Sequence, residues 1–144
     1  MSTTDIPTGV TEALDRIRLA WDSGDAAAYA EEFTADANYV IFAGLISRGR
    51  DEIRADHVPV FERWQRGTRM SMDVVDAHML GGDAAVVVTE GGIGKGAKIR
   101  HDKVQTFVFV REGERWLCAS FQNTKRNRLF AGINAREKQR LAAA

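Results

Sequence analysis

Cysteine, proline and histidine are scarce in this chain of 144 residues. The single cysteine, Cys118, has no partner for an internal disulfide, so nothing in the sequence requires an oxidising compartment. No apolar run approaches the roughly 18 residues that span a bilayer. Residues 1–5 also lack the basic and apolar pattern of a signal peptide. We therefore expect a cytoplasmic protein with no membrane partner.

A net charge of one sign is missing as well, because 20 basic and 20 acidic residues cancel. The charges are nevertheless unevenly distributed. The charged residues among residues 1–40 are mainly acidic, and those among residues 125–144 are mainly basic. A basic tail can bind nucleic acid, but Phe130 is the only aromatic residue in it that could stack on a base. We expect no nucleic-acid partner, and a tail that is either solvated or docked on an acidic helix.

The composition that remains, 44% hydrophobic and 28% charged, is typical of one globular domain, here residues 1–124. Its first half is helical in pattern. One amphipathic stripe is formed by Val10, Leu14, Ile17 and Trp21. A second, short helix follows the capping residue Asp25 and closes at residues 34–36. A third helix begins at Gly49, and Pro59 predicts a kink near Ala55.

The second half alternates in the manner of β-strands. After a first strand at residues 38–42, strand patterns occupy residues 70–80, 84–90, 104–111 and 115–123. Helices followed by a run of antiparallel strands predict an α+β fold, with a curved sheet and helices on one of its faces.

A glycine-rich segment, residues 91–97, formally matches a dinucleotide-binding pattern. Such a site needs a helix directly after the glycines to hold the phosphates, whereas here a strand follows. His57, His78 and His101 are far apart in the sequence, and paired cysteines are missing. We therefore predict a hairpin loop at this segment, no metal and no cofactor.

Several polar residues stand among apolar ones and could line a ligand pocket. They are Tyr39, His57, Glu90, Gln105 and Asn123, with Phe61, Trp64 and Phe121 as apolar walls. His57 and Glu90 are the candidates for catalytic proton transfer, since burial or a charged partner can tune their pKa values. The alternative interpretation is that each is a structural hydrogen-bonding residue.

Several segments resemble the opening of nuclear transport factor 2-like proteins, namely residues 21–25, 33–37, Gly44 and residues 49–53. Residues 115–124 resemble the last strand of the SgcJ/EcaC branch of that superfamily, which includes accessory proteins of enediyne antibiotic biosynthesis. The resemblance implies a cystatin-like, cone-shaped barrel. A strongly bent antiparallel sheet would wrap around about three N-terminal helices, and the sheets' outer faces would form a homodimer.

Relatives in this superfamily include polyketide cyclases of the SnoaL type and ketosteroid isomerases, alongside members without known catalysis. The catalytic aspartate of those enzymes has no counterpart here, and His57 or Glu90 would have to replace it. We expect a protein of secondary metabolism that binds a hydrophobic polyketide and could act as a cofactor-free acid–base isomerase or cyclase. The alternative is a non-catalytic, chaperone-like dimeric partner of a polyketide synthase or tailoring enzyme.

Overall fold

A computed structural model describes residues 6–144, which form helices and one six-stranded sheet. The helices are α1 (Thr8–Ser23), α2 (Ala26–Ala30), α3 (Gly49–Pro59), which continues as a π-helical turn (Val60–Trp64), and α4 (Arg128–Ala143). The strands are β1 (Phe33–Val40), β2 (Ile46–Arg48), β3 (Arg69–Met79), β4 (Ala84–Gly94), β5 (Lys103–Glu112) and β6 (Arg115–Lys125). None of the helices in this part of the chain is long and apolar enough to cross a membrane.

The sheet confirms the predicted α+β class and is curved but open, with the strand order β2-β1-β6-β5-β4-β3. Strands β3 to β6 form an antiparallel meander. Strand β1 pairs with β6 in parallel, so the sheet is not antiparallel throughout. The reason is the path of the chain: α3 carries it from β2 to the far edge of the sheet, and three hairpins bring it back beside β1.

Helices α1 and α2 form as their sequences predict. The stripe Val10, Leu14, Ile17 and Trp21 is buried in the core. Helix α1 ends at Gly24, whose left-handed φ of 69° suits glycine. The Asp25 side chain then caps α2 by accepting hydrogen bonds from the backbone N–H groups of Ala27 and Ala28.

The structure corrects two predicted boundaries. Residues 34–36 belong to β1 and do not close α2, because Phe33 and Thr34 are buried and Phe33 pairs with Cys118 of β6. Helix α3 continues through Ala55 to Pro59, and the bonding pattern changes only in the following turn. The π-helical turn that follows Pro59 includes a bond from the Gln65 N–H to the Val60 carbonyl at 2.7 Å, which spans five residues.

The glycine-rich segment has a packing explanation. The prediction of a hairpin loop over residues 91–97 is wrong for its first part, because Gly91 to Gly94 are the end of strand β4 and the connecting loop begins after them. A Cβ atom at Gly92 would collide with the backbone carbonyl of Arg100, and one at Gly91 would lie 2.5 Å from the Ser71 carbonyl oxygen. Glycine therefore lets neighbouring backbone segments approach the end of β4 closely.

The basic tail forms α4, which begins where Asn127 accepts a hydrogen bond from the Phe130 N–H. No residue of α4 is buried, and its apolar side chains Leu129, Phe130 and Ile133 are more than half exposed. The tail is therefore a solvated helix in this structure and is not docked on an acidic helix of the same chain.

Candidate functional site

A chain of three hydrogen bonds lies in the interior between α2, α3 and β1. The Tyr29 and Tyr39 hydroxyl oxygens are 2.8 Å apart, and His57 Nε2 lies 3.2 Å from the Tyr39 hydroxyl. His57 Nδ1 lies 2.7 Å from the carbonyl oxygen of Ile53, one helical turn earlier. Tyr29, Tyr39 and His57 are each at most 5% exposed.

The direction of each hydrogen bond follows from the carbonyl at one end. A carbonyl only accepts, so His57 Nδ1 carries a proton and donates it to Ile53. In a neutral imidazole, Nε2 is then an acceptor, and the Tyr39 hydroxyl donates to it. Because Tyr39 has only one hydroxyl proton, Tyr29 donates to Tyr39. The site thus presents a neutral histidine whose basic nitrogen faces a hydroxyl group.

Burial keeps all three groups in their uncharged forms. Removal from water lowers the pKa of His57, while the hydrogen bond to Ile53 and the nearby Asp56 act in the opposite direction more weakly. Burial also raises the pKa of Tyr29 and of Tyr39 well above the usual tyrosine value. At neutral pH the arrangement can therefore pass or accept a proton but carries no net charge.

Aromatic rings fill the space around this network. The Tyr39 ring stacks on Phe121 with centroids 4.6 Å apart, and it meets the His57 ring edge-on at 4.9 Å. The centroid of the Phe61 ring lies 4.8 Å from that of Trp21 and 5.9 Å from that of His57. Side chains in direct contact therefore occupy the predicted pocket, and a ligand must displace some of them to reach His57.

Strand register orders the rest of the inner face of the sheet into rows. The apolar row consists of Val87, Phe107, Phe121 and Tyr39. The next row, toward the start of β5 and the end of β6, consists of Val74, Thr89, Gln105 and Asn123. An apolar interior bordered by a row containing three polar residues is the arrangement that small-molecule sites use.

The polar row is itself hydrogen-bonded. The Thr89 hydroxyl donates to Gln105 Oε1 at 2.6 Å, and both residues are buried. Asn123 Oδ1 accepts from the backbone N–H of Phe42 at 2.8 Å and so holds the loop after β1 against the sheet. The amide nitrogen of Asn123 carries two N–H donors suited to a ligand oxygen.

The structure brings together Tyr39, His57, Phe61 and Phe121, with Gln105 and Asn123 in the adjacent row. It does not bring Glu90 or Trp64 to this site. Glu90 alternates with buried residues of β4, lies on the outer face of the sheet and pairs with Arg126 at 3.1 Å. Trp64 ends the π-helical turn, which rotates it off the helical stripe, and is 68% exposed.

Tyr29 and Thr89 are functional candidates that sequence reasoning missed. Tyr29 follows the Asp25 cap and precedes Phe33 by four residues, a spacing that predicts both rings on one side of a helix, so its inward direction was readable from the pattern. Nothing in the sequence indicated that its hydroxyl would meet Tyr39. Thr89 lies in an apolar strand, and its pairing with Gln105 depends on the register of β4 against β5.

The described residues hold no candidate metal cluster. Residues 6–144 contain no cluster of three or more histidine, cysteine, aspartate or glutamate side chains able to hold a metal ion. His101 instead contacts the Ser71 hydroxyl at 2.8 Å and lies 3.5 Å from Asp73. Cys118 is fully buried, and burial raises the pKa of its thiol to about 12, so it stays protonated.

Sequence comparison now identifies the family. The SnoaL-like domain matches residues 10–122, which include every strand but the end of β6. The chain belongs to the SnoaL-like family. No curated protein matches it significantly.

Solved structures with the same fold are similar to this SnoaL-like protein at low sequence identity. A cystatin-like domain of unknown function from Nostoc punctiforme is 21% identical, with a TM-score of 0.76; the match covers 99% of this chain and 94% of that one. An NTF2-like protein of unknown function from Shewanella oneidensis is 18% identical, with a TM-score of 0.69 and coverages of 81% and 97%. The protein Aln2 from a Streptomyces species is 16% identical, with a TM-score of 0.72 and coverages of 90% and 93%. These likenesses establish the predicted cystatin-like fold.

Proposed function

We propose that this SnoaL-like protein binds a hydrophobic polyketide in the concave interior and isomerises or cyclises it by cofactor-free acid–base chemistry. The observation that carries the proposal is the neutral hydrogen-bond chain of Tyr29, Tyr39 and His57. It combines a proton acceptor, His57 Nε2, with a proton donor, the Tyr39 hydroxyl, in an apolar enclosure. Membership of the SnoaL-like family supports a small-molecule-binding or isomerase-type function.

The reaction needs a carbon acid beside a carbonyl group. A bound substrate takes the place between Tyr39 and His57, and Nε2 removes a proton from the carbon next to the carbonyl. The Tyr39 hydroxyl and the amide nitrogen of Asn123 donate hydrogen bonds to the enolate oxygen that forms. The imidazolium then returns the proton to a different carbon, or the enolate carbon attacks a second carbonyl of the same chain, which takes up the proton. Neither route changes the oxidation state overall.

Phe61 and Phe121 form the walls that bind the apolar part of the substrate. Phe61 is 7% exposed and lies in the π-helical turn. Bulges of this type often mark functional sites in helices. A shift of Phe61 would open space next to His57, whose ring is 5.9 Å away. Exclusion of water around His57 would then strengthen the hydrogen bonds to the enolate.

The metabolic context is part of the same proposal. We infer that the protein acts in secondary metabolism, with the SgcJ/EcaC branch and enediyne-type polyketides as its functional setting. The resemblance of residues 115–124 to that branch and the structural likeness to Aln2 from a Streptomyces species support this context.

A second candidate is non-catalytic binding, as a dimeric, chaperone-like partner of a polyketide synthase or tailoring enzyme. It is favoured by the packing around His57, because both ring nitrogens already have partners and aromatic rings pack directly against the imidazole. The dimer would form through the outer face of the sheet, where Val86, Val88 and Val108 are only half-buried.

Thermal unfolding with a panel of polyketides and polyenes, followed by mass spectrometry of each mixture, tests both candidates. A ligand at one hundred times its Kd stabilises the fold by about 2.7 kcal/mol, which raises the Tm by a few degrees. Conversion that is lost in His57→Gln and kept in the control His78→Gln supports the enzyme. A Tm shift without conversion supports the binding partner. No shift with any pathway intermediate contradicts both.

A further inference from the structure

A strongly basic cleft lies at the end of β6, outside the site described above. It has a volume of about 450 Å³ and is lined by Arg100, Lys125, Arg126, Asn127 and Arg128. Four of these five side chains are cationic, and all five are exposed. The cleft brings residues from two separate segments together, because the N–H of Arg126 donates to the Asp102 carbonyl at 2.8 Å.

The local carboxylates offset only part of this charge. Glu90 pairs with Arg126 at 3.1 Å, and Asp102 pairs with Lys103, which is outside the cleft, at 2.9 Å. Within residues 6–144, no carboxylate lies within 4 Å of the side chain of Arg100, Lys125 or Arg128. Because the cations outnumber these carboxylates, they repel one another and raise the local concentration of anions. The cleft therefore suits an oxyanion, which guanidinium groups bind in bidentate geometry.

One cleft residue, Lys125, lies in line with the inner face of the sheet. Beyond the polar row that contains Asn123, the next row of the inner face pairs Gly91, Lys103 and Lys125. Lys125 belongs both to this row and to the cleft. The Lys103 ammonium lies 5.2 Å from the centre of the Phe42 ring, beside the Asn123 contact. Lys125 lies four residue steps beyond Phe121 along the extended strand, a distance of about 13 Å.

We propose that the ligand of this protein is an amphipathic anion, whose apolar chain enters the interior and whose terminal phosphate binds in the cleft of Arg100, Lys125, Arg126 and Arg128. This inference rests on the proposed function and adds the class of its substrate. A chain of about 13 Å, close to ten methylene groups, joins the two subsites. The apolar end contacts Phe121 while the arginines hold the phosphate.

Decyl phosphate and decanol test this inference, since they share one chain and differ in the phosphate. Calorimetric titration uses both below the micelle concentration, so binding reports single molecules and not a lipid surface. A charge-assisted contact predicts that decyl phosphate binds at least about tenfold more tightly than decanol. The advantage should be lost in the triple variant Arg100→Gln/Lys125→Gln/Arg128→Gln. It should persist in Arg136→Gln/Lys138→Gln/Arg140→Gln, which removes the same charge from the distal part of α4.

The outcomes separate the two proposals. If decanol and decyl phosphate bind equally, or if the advantage survives in the cleft variant, the anionic subsite is overturned while the interior site stands. If neither compound binds and no polyketide shifts the Tm, the proposed function fails as well. Circular dichroism of both triple variants checks that each retains the fold. The residues changed are exposed, so we expect Tm values close to that of the unchanged protein.

Discussion

Two networks in this protein satisfy buried polar side chains, one with charged groups and the other with uncharged groups. At the junction of α1, β1 and β6, the Glu32 carboxylate accepts hydrogen bonds from Arg16 and Arg115, each at 2.8 Å. In the interior, Tyr29, Tyr39 and His57 share hydrogen bonds without any charge. The Glu32 side chain is 8% exposed, but its partners are 33% and 51% exposed and therefore reach water.

The difference indicates which network is structural and which is available for chemistry. The ionic network is held by attraction between opposite charges, because the Glu32 carboxylate lies between the guanidinium groups of Arg16 and Arg115. It also ties α1 to the sheet, since Arg16 donates to the Trp116 carbonyl at 2.8 Å. The neutral network has donors and acceptors that exchange a proton at little electrostatic cost. Four changes test this contrast.

The largest effect is expected from Tyr39→Phe. The change removes the acceptor of the Tyr29 hydroxyl and the donor to His57 Nε2 at once, and leaves both without partners in an apolar core. We expect the free energy of unfolding to fall by about 3 kcal/mol. Urea denaturation measures it, and added salt should leave the difference unchanged. A loss below about 0.5 kcal/mol would mean that the hydroxyls are not coupled as described.

Glu32→Gln is the corresponding change in the ionic network. It keeps the shape of the side chain but replaces two charge-assisted hydrogen bonds, and we expect a loss of about 2 kcal/mol in the free energy of unfolding. Because Arg115 is half exposed, salt should reduce this difference. The exposed neighbour provides the control, Glu31→Gln, which should stay within about 0.5 kcal/mol. Equal effects of the two variants would contradict the assigned role of Glu32.

The pH dependence of stability distinguishes the networks further. Burial lowers the pKa of His57 in the folded protein, whereas the unfolded chain titrates near 6.5. Between these two values the unfolded chain binds more protons, so acid favours unfolding. Above about pH 6.5, the titration of His57 therefore does not change the free energy of unfolding. Below about pH 6.5, the free energy of unfolding falls by up to about 1.4 kcal/mol per pH unit, until the pH reaches the pKa of His57 in the folded protein.

His57→Gln should remove this acid-dependent part of the slope, while His78→Gln, at an exposed position on β3, should keep it. Denaturation midpoints measured from about pH 7.5 to about pH 5, a range that brackets the unfolded histidine pKa, give both slopes. If the wild type and His57→Gln lose stability in parallel over that range, His57 does not titrate with a lowered pKa.

Local patterns predicted the parts of the fold that depend on local physics. The stripe of α1, the Asp25 cap and the strands of the second half follow from side-chain spacing and backbone preference. The inward direction of His57 and Phe61 follows from the helical repeat of α3. The parallel pairing of β1 with β6 depends on contacts between segments far apart along the chain, which no local pattern encodes.

The two misplaced site residues show why the rest was not predictable. Trp64 fits the α-helical stripe in the sequence. The hydrogen bonds of the π-helical turn, however, span five residues in place of four, and this rotates the residues that follow Pro59. Glu90 follows a stretch of β4 that is apolar on both faces, because Val86 and Val88 lie outside while Ala85 and Val87 lie inside. Without a polar and apolar alternation, the sequence did not indicate to which face Glu90 belongs.

The smallest effect, expected from Tyr29→Phe, tests the direction of the hydrogen-bond chain itself. This change removes a donor to Tyr39 but leaves the bond from Tyr39 to His57 intact, so we expect a loss of about 1 kcal/mol in the free energy of unfolding. If the chain ran the other way, Tyr29 would be the acceptor of the Tyr39 proton, and its loss would leave a buried donor without a partner at a cost similar to that of Tyr39→Phe. The double variant Tyr29→Phe/Tyr39→Phe removes the orphaned Tyr29 hydroxyl as well. It should therefore be less destabilised than the sum of the two single changes, and strict additivity would show that the hydroxyls act independently.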